Sequence, residues 1–256
     1  MKKLDKIYKI PKKIVLAPMA GITDGDFCLK YNDTFGIVCL GAFNLDFDTD
    51  LASKKIQNRG RKEFIYELSE IDEKISFEIE KAKKSNSLVS VNIRFNDFSK
   101  AESHIIEISK NADILELNCH CRQPEITDLK LGQNLLKFEN ESKLTDFLEN
   151  IHKLNLEIPI FLKLRANFLK AEELIKSLDK VRGYFDGIHM DCFNPGKNHA
   201  DLEYLKKIRE NFPEKIIIGN NSVNSVESAK EMLEYADFVS VARCVLSNNI
   251  DWINKM

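Results

Sequence analysis

The chain has 256 residues, of which 43% are apolar, and a formal net charge of −2 at pH 7. The length allows one large domain with a substantial core, and the near-neutral charge excludes a polycation that binds nucleic acid with its whole surface. No stretch approaches the roughly 18 consecutive apolar residues of a membrane-spanning helix. We therefore expect a protein without a membrane partner.

The N-terminal segment 1–13, MKKLDKIYKIPKK, is rich in lysine and lacks the apolar stretch of a signal peptide. We interpret it as a solvated basic arm. The six cysteines are scattered along the chain, and Cys28 and Cys39 lie inside apolar runs. This distribution is typical of reduced, packed thiols and predicts a cytoplasmic protein.

Short apolar runs rich in β-branched residues alternate with segments of helical period, and each run predicts a strand. In chain order the runs are IVLAP (14–18), GIVCLGAF (36–43), LVSVNIRF (88–95), DILELN (113–118), IPIFLKLR (158–165), DGIHMDC (186–192), KIIIGN (215–220) and DFVSVAR (237–243). Amphipathic helices are predicted over 170–182, 201–212 and 225–236. The segment 44–84 is long for one connection and predicts two or three helices or an inserted excursion.

Strands that are apolar on both faces, each followed by a helix, predict a parallel sheet covered by helices. Eight such units in this length favour one (β/α)8 TIM barrel over residues 1–256. The alternative is an open, doubly wound sheet, which usually has fewer strands and a glycine-rich first turn. The motif G-x-G-x-x-G is absent from the chain, so we favour the barrel.

Polar and charged side chains collect at the carboxyl ends of the predicted strands, where parallel barrels place their chemistry. Lys163, Arg165 and His189 are flanked by apolar residues, and burying such groups without a ligand costs free energy. The candidate residues at this rim are Pro18, Met19, Ala20, Asn92, Arg94, Asn118, Cys119, His120, Cys121, Lys163, Arg165, His189, Asp191, Asn220, Asn221 and Arg243. We predict a functional site there.

The last two strands indicate the class of ligand. IIIGNNSVNS places Gly219, Asn220 and Asn221 at a strand end before a helix, and VARCVL brings Arg243 to the top of the next strand. Backbone N–H groups after strands seven and eight commonly bind phosphate in these barrels. The pattern predicts a phosphate-bearing ligand, although Gly219 and Asn220 alone would equally suit an ordinary turn.

The segment ILELNCHCRQPE, 114–125, brings two thiols and an imidazole together at Cys119, His120 and Cys121. Adjacent positions give poor tetrahedral geometry and no second cysteine pair follows, so we predict no metal site. A disulfide between Cys119 and Cys121 would be strained. A catalytic thiol and an ordinary loop remain as the alternatives.

Several segments together resemble the tRNA-dihydrouridine synthases, a family of flavoproteins with an FMN-binding TIM barrel. LAPMAGITDGDF (16–27) resembles the opening strand and loop of that family, and ELNCHCRQPE (116–125) resembles its Asn-x-Gly-Cys-Pro motif. FLKLR, GIHMD, IIGNNSV and VARCVL follow in the family's order. The resemblance implies FMN as cofactor and NAD(P)H as reductant. Dihydroorotate dehydrogenases, which share the barrel and the flavin, are the close competitor.

The resemblance also implies roles for individual residues. Cys121, Lys163 and His189 would be catalytic: hydride would reach C6 of a uridine in tRNA while Cys121 protonates C5, and Lys163 would lie beside the flavin N1/O2 edge. Asn118, His120, Arg122 and Arg165 would contact the substrate. The implied cofactor-binding residues are Pro18, Met19, Ala20, Asn92, Lys163, His189, Gly219, Asn220, Asn221, Ala242 and Arg243.

The chain departs from the family pattern at several positions. His120 and Arg122 replace the motif's glycine and proline, Asp191 stands where an arginine is expected, and Asn221 and Ala242 replace glycines. The helical tRNA-binding domain expected after the barrel has no counterpart in these 256 residues. tRNA is therefore weakly supported as a partner. A reductase of a small substrate, such as a free pyrimidine, and a non-catalytic FMN- or phosphate-binding barrel remain as alternatives.

Overall fold

The computed structural model describes residues 2–256 and the side chains of residues 3–256. Its strands are β1 (Ile14–Leu16), β2 (Ile37–Asn44), β3 (Leu88–Arg94), β4 (Ile114–Asn118), β5 (Ile160–Arg165), β6 (Gly187–Asp191), β7 (Ile216–Asn220) and β8 (Phe238–Val241). Each strand pairs in parallel with its sequence neighbours, and β8 pairs with β1 to close the barrel. The predicted (β/α)8 TIM barrel is confirmed.

Helices follow the strands and cover the outside of the barrel, except the first, which precedes β1. They are α1 (Asp5–Tyr8), α2 (Gly25–Leu29), α3 (Phe47–Asn58), α4 (Ile71–Lys83), α5 (Phe98–Asn111), α6 (Pro124–Thr127), α7 (Glu141–Lys153), α8 (Ala171–Lys180), α9 (Leu202–Asn211), α10 (Val226–Leu233) and α11 (Arg243–Leu246). The three helices predicted from amphipathic periodicity are α8, α9 and α10, each slightly shorter than predicted. Within residues 2–256, no helix is long and apolar enough to cross a membrane.

The barrel interior holds a layer of polar side chains that the strand register stacks side by side. Asn92 of β3 is level with Glu116 of β4, and Lys163 of β5 is level with His189 of β6. Residues two apart on a strand point to the same face. Polar residues at alternate positions of several strands therefore meet inside the barrel, toward the carboxyl ends of the strands.

The long segment between β2 and β3 contains α3, a 3₁₀ turn at Leu68–Glu70 and α4. This agrees with the prediction of two or three helices. The connection between the two α-helices returns to the barrel at Glu63, whose carboxylate lies 2.8 Å from the Arg94 guanidinium. Both side chains are buried, so the excursion contributes an ion pair beside the predicted rim.

The N-terminal arm is not wholly solvated, and in this respect the prediction was wrong. Ile7 of α1 is only 1% exposed and packs with Val15, Phe161 and Phe238 at the N-terminal end of the barrel. The lysines at positions 3, 6, 9 and 12 are exposed, as expected. Leu4 and Ile10 of the arm also pack against this cluster. The high lysine content of the segment gave no indication of these apolar contacts.

Candidate active site

A cavity of about 770 Å³ opens at the carboxyl ends of the strands. Its wall is formed by residues at the ends of β1 and of β4 to β8. This volume is within the range of sites for small molecules and cofactors. The predicted site residues on its wall are Pro18, His120, Arg122, Lys163, Arg165, Asn220, Asn221, Ala242 and Arg243. Lys197 adds a further cation, and Asp191 is the one carboxylate of the wall among the described residues. The cavity therefore suits an anionic ligand.

Lys163 is a buried cation without a partner. Its side chain is 4% exposed, it lines the cavity, and its Nζ makes no hydrogen bond to any described residue. Burial lowers the pKa of Lys163, and the carboxylates of Glu116 and Asp191 oppose this effect. Because an unpaired buried ammonium is costly, the position favours a ligand that accepts a hydrogen bond from Lys163.

A chain of hydrogen bonds below the cavity converges on Glu116. The Nδ1 atom of His189 lies 2.7 Å from one carboxylate oxygen, and Nδ2 of Asn92 donates to the other at 2.7 Å. On the far side of His189, Nε2 lies 2.6 Å from Ser240 Oγ, to which Asn220 Nδ2 donates at 2.6 Å. Because a carboxylate only accepts hydrogen bonds, the contact with Glu116 places the proton of His189 on Nδ1.

His189 and Glu116 form a fully buried pair. Burial and the charge of Lys163 lower the pKa of His189 to about 4, so its imidazole is neutral at pH 7. Burial opposes ionisation of Glu116, but His189, Lys163 and Asn92 together lower its pKa.

Cys39 lies close enough to Glu116 and His189 for the three side chains to surround a cation. Hydrogen bonds already engage Glu116 and His189, and we assign no metal to them.

Asn118 joins this chain to the loop that follows β4. Its Nδ2 donates to Asn92 Oδ1 at 2.8 Å, while its Oδ1 accepts the backbone N–H groups of His120 and Cys121 at 3.2 and 2.9 Å. Asn118 is 8% exposed and is not on the cavity wall. Its position therefore orients the loop 119–122 and gives no direct support to the predicted contact with substrate.

Asp191 is the centre of a second cluster, at the cavity mouth. One carboxylate oxygen lies 2.9 Å from His120 Nε2 and accepts from Arg165 at 2.6 Å, while the other accepts from Asn221 at 2.6 Å. Burial opposes its ionisation, but the hydrogen bonds from His120 and Asn221 hold the pKa of Asp191 well below its usual range. The Arg165 guanidinium also stacks on Phe193, 3.9 Å from the ring centroid.

The loops after β7 and β8 contribute residues with main-chain N–H groups to the cavity wall. Those of Ser222, Val223 and Arg243 have no acceptor among residues 2–256, and all three residues line the wall. Asn221 and Ser222 have positive φ angles of 97° and 56°, which turns the chain sharply here. The Arg243 guanidinium lies 3.4 Å from Asn221 Oδ1. This corner has the donors that a phosphate group needs.

Gly219 belongs to the packing of the barrel. A Cβ at this position would lie 2.5 Å from the side chain of Met232, so the glycine allows α10 to approach β7 closely. It does not line the cavity, in contrast to Asn220 and Asn221. The predicted cofactor contact of Gly219 thus receives no support from its position.

Several other predicted residues also lie away from the cavity wall, namely Met19, Ala20, Asn92, Asn118, Cys121 and His189. Cys121 is 9% exposed and belongs to the apolar core. Gly132, at a φ of 58°, packs against its backbone so closely that a Cβ would clash with the Cys121 carbonyl oxygen. Cys121 is therefore not on the cavity wall, whereas its neighbours His120 and Arg122 are, together with Lys163 and Arg165.

Sequence reasoning missed Glu116 and Ser240, the two residues that complete the interior chain. A usable signal was present, because each is a polar residue within a strand of apolar residues, ILELN and FVSV. Glu116 also precedes Asn118 by two positions, and this spacing places both on one strand face.

Comparison with known proteins agrees with the motifs. Residues 15–250 match the family model described as dihydrouridine synthase (Dus). An uncharacterized protein of Methanocaldococcus jannaschii is 55% identical over 255 residues, covering 100% of this chain and 97% of that protein. The tRNA-dihydrouridine synthase B of Vibrio vulnificus is 23% identical, with 92% of this chain and 68% of that protein covered.

Solved structures support the fold. QR15, an aldolase, has a TM-score of 0.62 at 17% identity, covering 96% of this chain and 95% of that one. A 2,3-dimethylmalate lyase has a TM-score of 0.60 at 10% identity, covering 100% of this chain and 83% of that one. At these identities the likeness shows a shared barrel and nothing of the chemistry. The family match, by contrast, spans nearly the whole chain, so this protein belongs to the dihydrouridine synthase family and is an oxidoreductase of that type.

Proposed function

We propose that this protein binds FMN, takes electrons from NAD(P)H, and reduces the C5=C6 bond of uridine in tRNA. One observation carries the proposal: the buried ammonium of Lys163 faces a large cationic cavity without a partner, in a chain of the dihydrouridine synthase family. The relatives named tRNA-dihydrouridine synthase B support tRNA as the substrate.

The residues present fit FMN. The N–H groups of Ser222, Val223 and Arg243, with the Arg243 guanidinium, would hold the phosphate. Lys163 would bind the polar edge of the ring system, where its fixed charge stabilises negative charge. Pro18 and Ser240 also line the cavity. When bound, FMN would supply the hydride.

The protein's own contribution is to hold Lys163 and the loop 119–122 in place. The carboxylates of Glu116 and Asp191 partly balance the Lys163 charge, and the neutral imidazole of His189 holds the Glu116 carboxylate by a hydrogen bond. Asn118 fixes the backbone of the loop through two N–H groups. Arg122 and Lys197 lie on the cavity wall, where they would contact phosphates of an RNA strand.

A reductase of a free pyrimidine is the second candidate. The observation that favours it is the Asp191 cluster, in which Arg165 and His120 are hydrogen-bonded to Asp191. Fewer donors then remain free for phosphate contacts at the mouth of the cavity.

The test begins with the purified protein, its visible absorbance, and identification of any released chromophore by mass spectrometry. NADPH added without oxygen should bleach bound FMN. An unmodified tRNA transcript should then acquire dihydrouridine, measured by mass spectrometry of its nucleosides, and Lys163→Met should lose this product. Product from free uracil or uridine but not from the transcript would favour the second candidate. Failure to bind FMN supplied in excess would contradict both.

A further inference from the structure

We propose, resting on the function above, that the segment 54–62 binds phosphates of the tRNA strand beside the uridine that is reduced. The segment reads KKIQNRGRK, and we call it the basic segment. It carries five cations and no acidic residue, in a chain whose formal net charge is −2. A local excess of positive charge on a near-neutral chain favours a polyanionic partner.

The basic segment is fixed to the loop that follows β4. It begins in α3, which packs against α6 of that loop. The Arg59 guanidinium donates to both carboxylate oxygens of Glu125, at 2.6 and 2.7 Å, and to Gln123 Oε1 at 3.0 Å. Arg122, the next residue toward β4, lines the cavity. One side of the basic segment therefore lies beside the cavity wall.

The other side of the basic segment packs on the loop after β1. A Cβ on Gly21 would lie 2.7 Å from the Lys62 Cβ, and Pro18 of the same loop lines the cavity. Next to the basic segment, the carbonyl oxygen of Phe64 accepts from Asn44 Nδ2, at the end of β2, at 3.3 Å. The basic segment thus lies at the rim of the barrel, between the loops after β1 and β4.

Three cations of the basic segment are unpaired. Lys55, Arg61 and Lys62 are exposed, and none of them has a carboxylate partner within residues 3–256. Three carboxylates of this region already have other partners, in the pairs Asp50 with Lys54, Glu125 with Arg59, and Glu63 with Arg94. The three unpaired charges at the rim are therefore available to phosphates.

A further cation lies across the cavity from the basic segment. Lys197 lines the cavity wall and follows β6, which is four strands from β2 in the closed ring of eight. A uridine that enters the cavity is turned out of its strand, so the phosphates of the neighbouring nucleotides pass over the rim. Cations on two sides of the mouth can bind phosphates on both sides of that uridine. This arrangement favours a polynucleotide over a free pyrimidine.

The first experiment measures binding of an unmodified tRNA transcript to the FMN-loaded protein by fluorescence anisotropy, over a series of KCl concentrations. The double variant Arg61→Ala, Lys62→Ala should bind about tenfold more weakly at low salt. The slope of log K against log [KCl] should decrease by about 1–2, because each lost phosphate contact removes about one. Alanine keeps the Lys62 Cβ that packs near Gly21.

The matched control is the double variant Lys83→Ala, Lys84→Ala. These lysines are adjacent and exposed, and they precede β3, at the opposite end of the barrel from the cavity. The control therefore removes the same charge from another place. It should bind the transcript with the affinity and salt dependence of the wild type.

The second experiment measures dihydrouridine formation in the transcript. The Arg61→Ala, Lys62→Ala variant should have a KM for tRNA raised by about tenfold, with kcat at saturating tRNA retained. FMN content and reduction by NADPH should equal those of the wild type, which shows that the variant is folded and that the cavity is intact.

The outcomes separate this inference from the proposed function. Equal tRNA affinity and salt dependence in the two double variants would overturn the inference, and dihydrouridine formed by the wild type would leave the proposed function intact. Conversely, tRNA binding that is lost only in the Arg61→Ala, Lys62→Ala variant would support the RNA surface. A wild type that binds the transcript in this way and forms no dihydrouridine would overturn the proposed function alone.

Discussion

At the scale of single residues, Lys163 is expected to favour ligand binding at the expense of the stability of the protein without ligand. Replacing it with methionine removes an unpaired buried ammonium, so we expect Lys163→Met to be at least as stable as the wild type without cofactor. The same change should weaken FMN binding by tenfold or more, about 1.4 kcal/mol. Urea unfolding and fluorescence titration with FMN measure the two effects. Lys197→Met, an exposed cation on the same wall, is the matched control. A destabilised variant with unchanged FMN affinity would refute this role.

The low pKa of His189 predicts how the stability of the protein depends on pH. Its pKa is about 4 in the folded protein and about 6.5 in the unfolded chain. The unfolded state binds more protons between these values, so stability should fall by roughly 3 kcal/mol as pH drops through this window. The lowered pKa of Glu116 acts in the same direction at still lower pH.

Urea unfolding at pH 7, 6 and 5 checks the His189 prediction. His189→Gln should flatten the dependence, because glutamine does not titrate, whereas the exposed His199→Gln should leave it as in the wild type. A wild-type stability that stays constant over this range would show that His189 does not carry the effect.

At the scale of elements, the N-terminal arm acts as the closure of the barrel. Ile7→Ala should lower the free energy of unfolding by about 2–5 kcal/mol, because it leaves a hole among the packed side chains of that end. The neighbouring Tyr8→Ala, at a position 59% exposed, should have little effect. FMN affinity should be preserved, since the cavity lies at the other end of the strands. Equal stabilities of the two variants in urea would contradict the packing of Ile7.

The loop 119–122 depends on the 3₁₀ turn Gly132–Leu136. Gly132→Ala adds a Cβ at a positive φ and against the Cys121 carbonyl, so we expect a loss of about 1–3 kcal/mol. Gly183→Ala, where a Cβ would meet nothing within 4 Å, is the control for the loss of a glycine. Thermal unfolding compares the two. A neutral Gly132→Ala would mean that the loop is not held by this contact.

At the scale of the whole molecule, a ligand that binds in the cavity should stabilise the entire barrel, because the cavity wall includes residues from several strands. FMN at 100 times its Kd should add about 2.7 kcal/mol to the free energy of unfolding. Riboflavin, which lacks the phosphate, should add less at equal concentration, and Arg243→Met should reduce the difference between the two ligands. Thermal unfolding with each ligand provides the measurement. Equal stabilisation by both ligands would contradict a phosphate site at Ser222, Val223 and Arg243.

The amino-acid sequence by itself determined the barrel and the rim on which the polar residues lie. Eight apolar runs and the helices between them leave few other ways to bury so much apolar surface. The strand-end positions of Lys163, Arg165 and Arg243 likewise follow from local pattern alone, because parallel strands end at a common rim.

Only the tertiary structure decided which rim residues share the cavity. The direction of a side chain depends on the register between strands and on loops that pack from distant parts of the sequence. These decide that Glu116 completes a chain from Asn92 to Ser240, that Asp191 binds His120, and that Gly132 holds Cys121 in the core. No local pattern carries such information, since each contact joins segments that are adjacent only after the barrel has closed.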